Sequence, residues 1–183
     1  MKIIKENGKR IFNAKAVALV GIMAATLECG KLVLATIPNV EVVTLLCALY
    51  GYVFGWLGVL AAAIFVCLEP LIWGVGSWII TYIIYWPSVA LIFMLLSRKG
   101  IKNRLVFTVT AVVMTLLFGV ISSMIDSAFY LGINENYFKN LVIFYARGSV
   151  FYIVQIVTNA AVFPTVFPFL VKKLSLFKPQ IDV

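Results

Sequence analysis

Residues 42–97 read VVTLLCALYGYVFGWLGVLAAAIFVCLEPLIWGVGSWIITYIIYWPSVALIFMLLS, and the only charged side chain in this stretch of 56 residues is Glu69. One membrane-spanning helix needs about 20 apolar residues, so the stretch is too long for one crossing and suits three. Glycine clusters interrupt helices. The two clusters here, Gly55-Trp56-Leu57-Gly58 and Gly74-Val75-Gly76-Ser77, therefore predict the breaks between the three helices.

The composition of the whole chain also indicates a membrane protein. Of its 183 residues, 63% are hydrophobic and 12% are charged, whereas soluble domains average about 45–50% and about 25%. The chain contains no histidine, which excludes Ser–His catalysis and histidine-ligated metal sites. It also has no Walker A, HExxH or GxSxG motif. We therefore expect neither an enzyme nor a protein with a cofactor or metal of its own.

The basic residues predict the orientation of the chain in the membrane. Lys and Arg concentrate before residue 16, in the break at 98–104 and at 172–178. Such clusters mark cytoplasmic loops beside membrane spans, so the net charge of +8 does not predict nucleic-acid binding. With all three clusters inside, the chain is predicted to be an all-α integral membrane protein of the cell (plasma) membrane, with six transmembrane helices and both termini cytoplasmic.

The predicted spans form a single domain over residues 1–183. They are residues 14–37, 42–55, 57–73, 78–97, 105–131 and 141–171. The second span would be about 21 Å long at about 1.5 Å per residue, which is less than the hydrocarbon thickness of about 30 Å. Either neighbouring helices bury it or the bilayer thins around it. Four prolines inside the spans predict kinks or broken helix ends. They are Pro70, Pro87, Pro164 and Pro168.

Three charged residues lie inside apolar runs, namely Glu69, Asp126 and Arg147. An ionisable group at membrane depth is costly unless it is paired or faces water. The predicted topology places all three in the outer leaflet, which favours one polar cavity open to the exterior. A structural ion pair between Asp126 and Arg147 is the alternative.

Aromatic and amide side chains surround the same depth. Tyr82, Tyr85 and Trp86 lie deeper than the usual interfacial anchors, and a wall of rings suits a flat conjugated ligand. The candidate substrate-binding residues are Glu69, Trp78, Tyr82, Tyr85, Asp126, Tyr145, Arg147 and Gln155.

The first helix carries small residues at spacings of four, three and four, namely Ala14, Ala18, Gly21 and Ala25. These positions share one face, and small residues let another helix approach closely in lipid. The partner is either another helix of this chain or a separate membrane subunit. Glu28 and Lys31 follow the stripe, and their spacing predicts an ion pair along the helix or a residue that lines an outward cavity.

A chain of this size with six spans, both ends inside and this helix-one stripe resembles the S-component of an energy-coupling factor (ECF) transporter. The local matches are Ala14-x-x-x-Ala18 with Gly21 and Ala25, and the run Ile37-Pro38-Asn39-Val40-Glu41 that enters the second helix. S-components are the substrate-capture subunits of micronutrient importers.

The resemblance implies a vitamin or related small molecule bound in an outward-facing pocket. It also implies docking through the alanine face of the first helix onto a T-component, which is joined to two ATPase subunits that alone use ATP. Riboflavin-, cobalamin- and queuosine-precursor-like cargoes remain open. The alternative is a stand-alone, ion-coupled secondary carrier for a small polar or aromatic solute, with Asp126 or Glu69 as the proton site.

Overall fold

The computed structural model describes residues 14–37 and 40–177, and the backbone of residues 5–6 and 9–10. Six helices account for most of the described residues. They are α1 (Ala14–Leu34), α2 (Val43–Phe54), α3 (Trp56–Trp73), α4 (Trp78–Arg98), α5 (Arg104–Leu131) and α6 (Tyr137–Ser175). Two strands of two residues each, β1 (Lys5–Glu6) and β2 (Lys9–Arg10), pair antiparallel before α1. The basic side chains before residue 14, Lys178 and the Pro38-Asn39 part of the α1–α2 connection lie outside the described residues.

Five helices of the described chain are long and apolar enough to cross a membrane, namely α1, α3, α4, α5 and α6. This confirms an all-helical architecture that is consistent with a multi-pass membrane protein. The remaining helix, α2, has 12 residues and is about 18 Å long, which is shorter than the hydrocarbon layer of about 30 Å. Six crossings and the cytoplasmic position of both termini stay predictions.

The helix bounds differ from the predicted spans mainly at α6. This helix begins at Tyr137 rather than at residue 141 and ends at Ser175, so its 39 residues extend over about 58 Å. Pro164 and Pro168 lie inside α6, Pro70 inside α3 and Pro87 inside α4. The helices continue through all four prolines, so none of them breaks a helix, and the predicted kinks stay a prediction.

The short helix α2 lies in the middle of the bundle. It packs against α4, α3 and α6, and ten of its 12 residues are buried. Of the two explanations for a short apolar helix, the structure therefore shows burial by neighbours. The Glu41 carboxylate caps its first turn, since Oε2 accepts from the Thr44 backbone N–H at 2.8 Å and Oε1 accepts from the Thr44 hydroxyl at 2.5 Å.

Glycines allow α2 to come this close to its neighbours. A Cβ atom at Gly51 would lie 2.0 Å from the backbone oxygen of Ala90 in α4, and one at Gly58 in α3 would lie 2.2 Å from the backbone of Tyr50. Gly55 alone separates α2 from α3 and has a φ of 61°, which residues with a Cβ rarely adopt. The packing of α2 against α3 and α4 therefore depends on glycine at three positions.

Phenylalanine rings close the end of the bundle that carries the 99–103 connection. Phe93 of α4, Phe107 of α5 and Phe163 and Phe167 of α6 are all buried, and their ring centroids lie 4.9 to 6.1 Å apart. Contacts of this kind stabilise a core beyond the area that they bury. The buried carboxylates and most tyrosines and tryptophans lie toward the opposite end, where α3 ends and α4 begins.

We expect Gly51→Ala to destabilise the protein, because its new methyl group overlaps the α4 backbone and forces the helices apart. Overpacking of this kind costs about 1–3 kcal/mol or more. The apparent melting temperature in detergent, measured by tryptophan fluorescence, reports the loss. Gly21→Ala in α1 is the matched control, since a Cβ there meets no atom within 4 Å. Equal melting temperatures for the two variants would contradict the close α2–α4 contact.

Candidate functional site

One face of α1 packs against the rest of the protein and carries Glu28 at its far end. The buried residues of this face include Ala16, Val20, Met23 and Leu27, and Glu28 is 8% exposed. The sequence placed Glu28 in line with the small-residue stripe. In the structure Glu28 is buried, and its side chain accepts a hydrogen bond from Trp73 of α3.

The charged partner of Lys31 is on another helix. Its ammonium group forms an ion pair and a hydrogen bond with the Oε2 atom of Glu69 in α3, which is fully buried. This is the only salt bridge among the residues that the structure describes. The predicted Glu28–Lys31 pair along α1 is therefore wrong, and the ion pair joins α1 to α3.

Three aromatic rings surround the same ammonium group. The Nζ atom of Lys31 lies 4.9 Å from the ring centroid of Trp73, 5.8 Å from that of Trp78 and 5.3 Å from that of Tyr82. Ring faces attract a cation at such distances, and the attraction grows when water is excluded. We call these three rings, with Lys31, Glu28 and Glu69, the carboxylate–aromatic cluster.

The two carboxylates of this cluster are not fully satisfied. Glu28 accepts a hydrogen bond at Oε1 from the Trp73 indole N–H at 3.1 Å. Its Oε2 atom and the Oε1 atom of Glu69 are buried and have no hydrogen-bond partner. Buried polar atoms are rarely left in this state without a reason. The cluster therefore has the capacity to accept further hydrogen bonds.

A chain of aromatic contacts leads from the cluster into the bundle. Trp78 contacts Tyr82, Tyr82 contacts Trp86, and Phe118 of α5 contacts Tyr85 at 4.8 Å and Tyr152 of α6 at 6.4 Å between ring centroids. Tyr152 in turn lies 5.3 Å from Tyr145. The candidate residues Trp78, Tyr82, Tyr85 and Tyr145 thus belong to one network. The sequence analysis did not single out Phe118, the ring that joins the aromatic residues of α4 to those of α6.

The other candidate residues have separate environments. Asp126 of α5 accepts a hydrogen bond at 2.6 Å from the Ser77 hydroxyl, next to Trp78 of the cluster. Arg147 is exposed, and no ion pair or hydrogen bond involves it within residues 14–37 and 40–177. The ion pair between Asp126 and Arg147 that the sequence left open is therefore not formed. Gln155 is half-buried.

A second polar group lies at the start of α2. The Asn159 side chain of α6 donates to the Thr115 hydroxyl of α5 at 3.0 Å, and both residues are buried. Burial raises the pKa of the Glu41 carboxyl above its usual value, while hydrogen bonds from Thr44 and the Asn159 side chain oppose that rise. In the sequence, Glu41 stands out only as a carboxylate just before an apolar run, and Thr115 has no distinguishing pattern.

Comparisons with protein-family models, with curated proteins and with solved structures find no match to this chain. The resemblance to S-components therefore stays a prediction from the sequence, based on the α1 stripe, the run before α2 and the predicted spans.

We expect Lys31→Met to destabilise the protein strongly, because it leaves the buried Glu69 carboxylate without its cation. Removing one partner of a buried pair costs about 3–5 kcal/mol. The double variant Lys31→Met/Glu69→Gln should regain part of this loss, since it removes both charges. Apparent unfolding midpoints in detergent for the two single variants and the double variant give the coupling between the residues.

Lys139→Met is the control for that experiment, because Lys139 is exposed at the start of α6. Its midpoint should match that of the unchanged protein. If Lys31→Met and Glu69→Gln have additive effects, the two residues are not coupled and the pair does not hold α1 against α3.

Proposed function

We propose that this chain is the substrate-capture subunit of an ECF-type importer in the cell membrane, with six crossings and both termini in the cytoplasm. In this proposal it binds a vitamin or related micronutrient from outside and delivers it by docking on a T-component. The two ATPase subunits of the importer supply the energy. The chain itself performs no chemical reaction.

The observation that carries this proposal is the position of the small-residue stripe of α1. Ala14, Ala18, Gly21 and Ala25 are all exposed, whereas the residues of α1 that pack on α2 and α3 lie on its other face. The described helices of this chain do not cover the stripe. Internal packing therefore does not explain the spacing, and a helix of another subunit is the partner that a smooth face in lipid suits.

The arrangement at the α3–α4 connection supports the substrate-capture role. Buried carboxylates, an ammonium group and a network of rings gather there on α1, α3 and α4, and continue through α5 to α6. Small-molecule sites combine apolar walls with a few placed polar groups. The predicted topology places this end of the bundle outside, so a solute would approach it from the exterior.

A stand-alone, ion-coupled carrier is the second candidate, and one observation favours it. The unpartnered carboxylate oxygens of Glu28 and Glu69 lie on α1 and α3, two helices long and apolar enough to cross a membrane, and proton relays of transporters use acidic groups within such helices. In that function one of these carboxylates would take up and release a proton with each transport cycle. The exposed stripe of α1 has no role in this alternative.

We expect Ala18→Trp to lower co-purification with the T-component of the same cell by about tenfold or more. A bulky side chain at a close helix contact costs about 1–3 kcal/mol, and about 1.4 kcal/mol corresponds to a factor of ten. The melting temperature of the isolated variant should not change, because the ring points into lipid. Quantitative affinity capture in mild detergent measures the complex.

Ala160→Trp in α6 is the matched control, since Ala160 is also an exposed alanine of a membrane helix. It should co-purify as the unchanged chain does. Equal capture of the two variants would remove the docking role of the stripe. Solute accumulation by the chain alone in liposomes under a proton gradient would favour the carrier.

A further inference from the structure

We propose that the carboxylate–aromatic cluster binds a protonated amine of the transported solute, so that the cargo carries an ammonium group. This deepens the proposed function and rests on it for the identity of the bound molecule as cargo. The ammonium group would lie beside the unpartnered oxygens of Glu28 and Glu69 and donate hydrogen bonds to both.

The charge balance of the cluster indicates a missing cation. Two carboxylates, from Glu28 and Glu69, face one ammonium group, from Lys31, and the described residues provide no other ion pair here. Lys31 contacts one oxygen of Glu69, and the Trp73 indole N–H contacts one oxygen of Glu28. One oxygen of each carboxylate is buried without a donor, and the two carboxylates interact directly with each other. A single added ammonium group neutralises the cluster and supplies donors for both oxygens.

The rings around Lys31 favour an ammonium group over an inorganic cation. Trp73, Trp78 and Tyr82 all lie within 6 Å of the Lys31 ammonium nitrogen, so these rings already surround this chemical group in the structure. Cation–π attraction is the usual basis for recognising organic ammonium ligands. Sodium instead requires a shell of oxygen ligands, and the cluster presents two free carboxylate oxygens among aromatic carbon.

The site is reachable from the connection between α3 and α4. Trp73 is 46% exposed and Val75 in the connection is 89% exposed, and the side chain of Lys31 retains 25% exposure. Gly74 has a φ of 79°, a backbone conformation that favours glycine. The deep side of the cluster is closed, since Glu69 is fully buried. A solute would therefore insert its amine first.

The test uses n-propylammonium chloride as the probe, added to the full chain in detergent or nanodiscs. Tryptophan fluorescence and the melting temperature should change saturably. Sodium chloride at the same ionic strength and 1-propanol, the neutral analogue, should not reproduce the change. Glu28→Gln should weaken probe binding by about tenfold or more, because it removes a charge-assisted hydrogen bond. Glu135→Gln, in the exposed α5–α6 connection, is the matched control and should leave binding unchanged.

The Lys31→Ala variant provides a second test of the same proposal. It frees the ring cage and removes the resident cation, so the probe should bind more tightly and should restore the melting temperature lost by the substitution. An equal response to sodium would overturn the proposal in favour of an inorganic cation. An equal response to 1-propanol would also overturn the proposal. So would the absence of a saturable response in both the unchanged protein and Lys31→Ala, because a proton shared by the two carboxylates would then explain the cluster.

Failure of this inference and failure of the proposed function give different results. Probe binding without capture of a T-component leaves the ammonium site in place and removes the importer. Capture that depends on Ala18, in a chain that binds no propylammonium, keeps the importer and removes the amine from its cargo.

Discussion

The packing of α1, α3 and α4 depends on the buried carboxylate of Glu69. A carboxylate enclosed among apolar helices is tolerated only where a cation or a set of donors meets it. Lys31 provides the cation, so the end of α1 is held against α3. Trp73 then reaches back to Glu28, and the start of α4 covers the same ammonium group with Trp78 and Tyr82. The Glu69–Lys31 pair and the rings around it thus link α1, α3 and α4.

Two kinds of small residue serve different purposes in the protein. Gly51 and Gly58 are enclosed and allow backbones of α2, α3 and α4 to approach within the bundle. A Cβ atom at Gly21 would meet no atom within 4 Å, and the alanines of the α1 stripe are exposed. Sequence spacing alone does not separate these cases, since both place small side chains on a helix face. Burial does, and it leaves the α1 stripe for the proposed partner.

Much of the fold could be predicted from the sequence, because the length of an apolar run and the glycines that interrupt it are local features of the chain. The predicted breaks at residues 55–58 and 74–77 coincide with the ends of α2 and α3, and the short second run is indeed an enclosed helix. Pairings between helices were not readable. Glu28 and Lys31 have the spacing of a pair along one helix, yet Lys31 contacts Glu69, because the packing of α1 on α3 decides which carboxylate is nearest. The position of a residue along a span likewise does not show which way its side chain points. The sequence therefore could not show that Arg147 is exposed while Asp126 accepts a hydrogen bond from Ser77.

A single residue, Gly55, connects α2 to α3, so the two helices would enter a bilayer together. With 12 residues, α2 is too short to be retained in a membrane as an independent segment. Because only Gly55 divides it from α3, the insertion machinery meets both helices as one continuous apolar segment from residue 43 to residue 73. The burial of α2 requires both α4 and α6, which follow it in the chain. The middle of the bundle therefore cannot be complete until the last helix of the chain is in place.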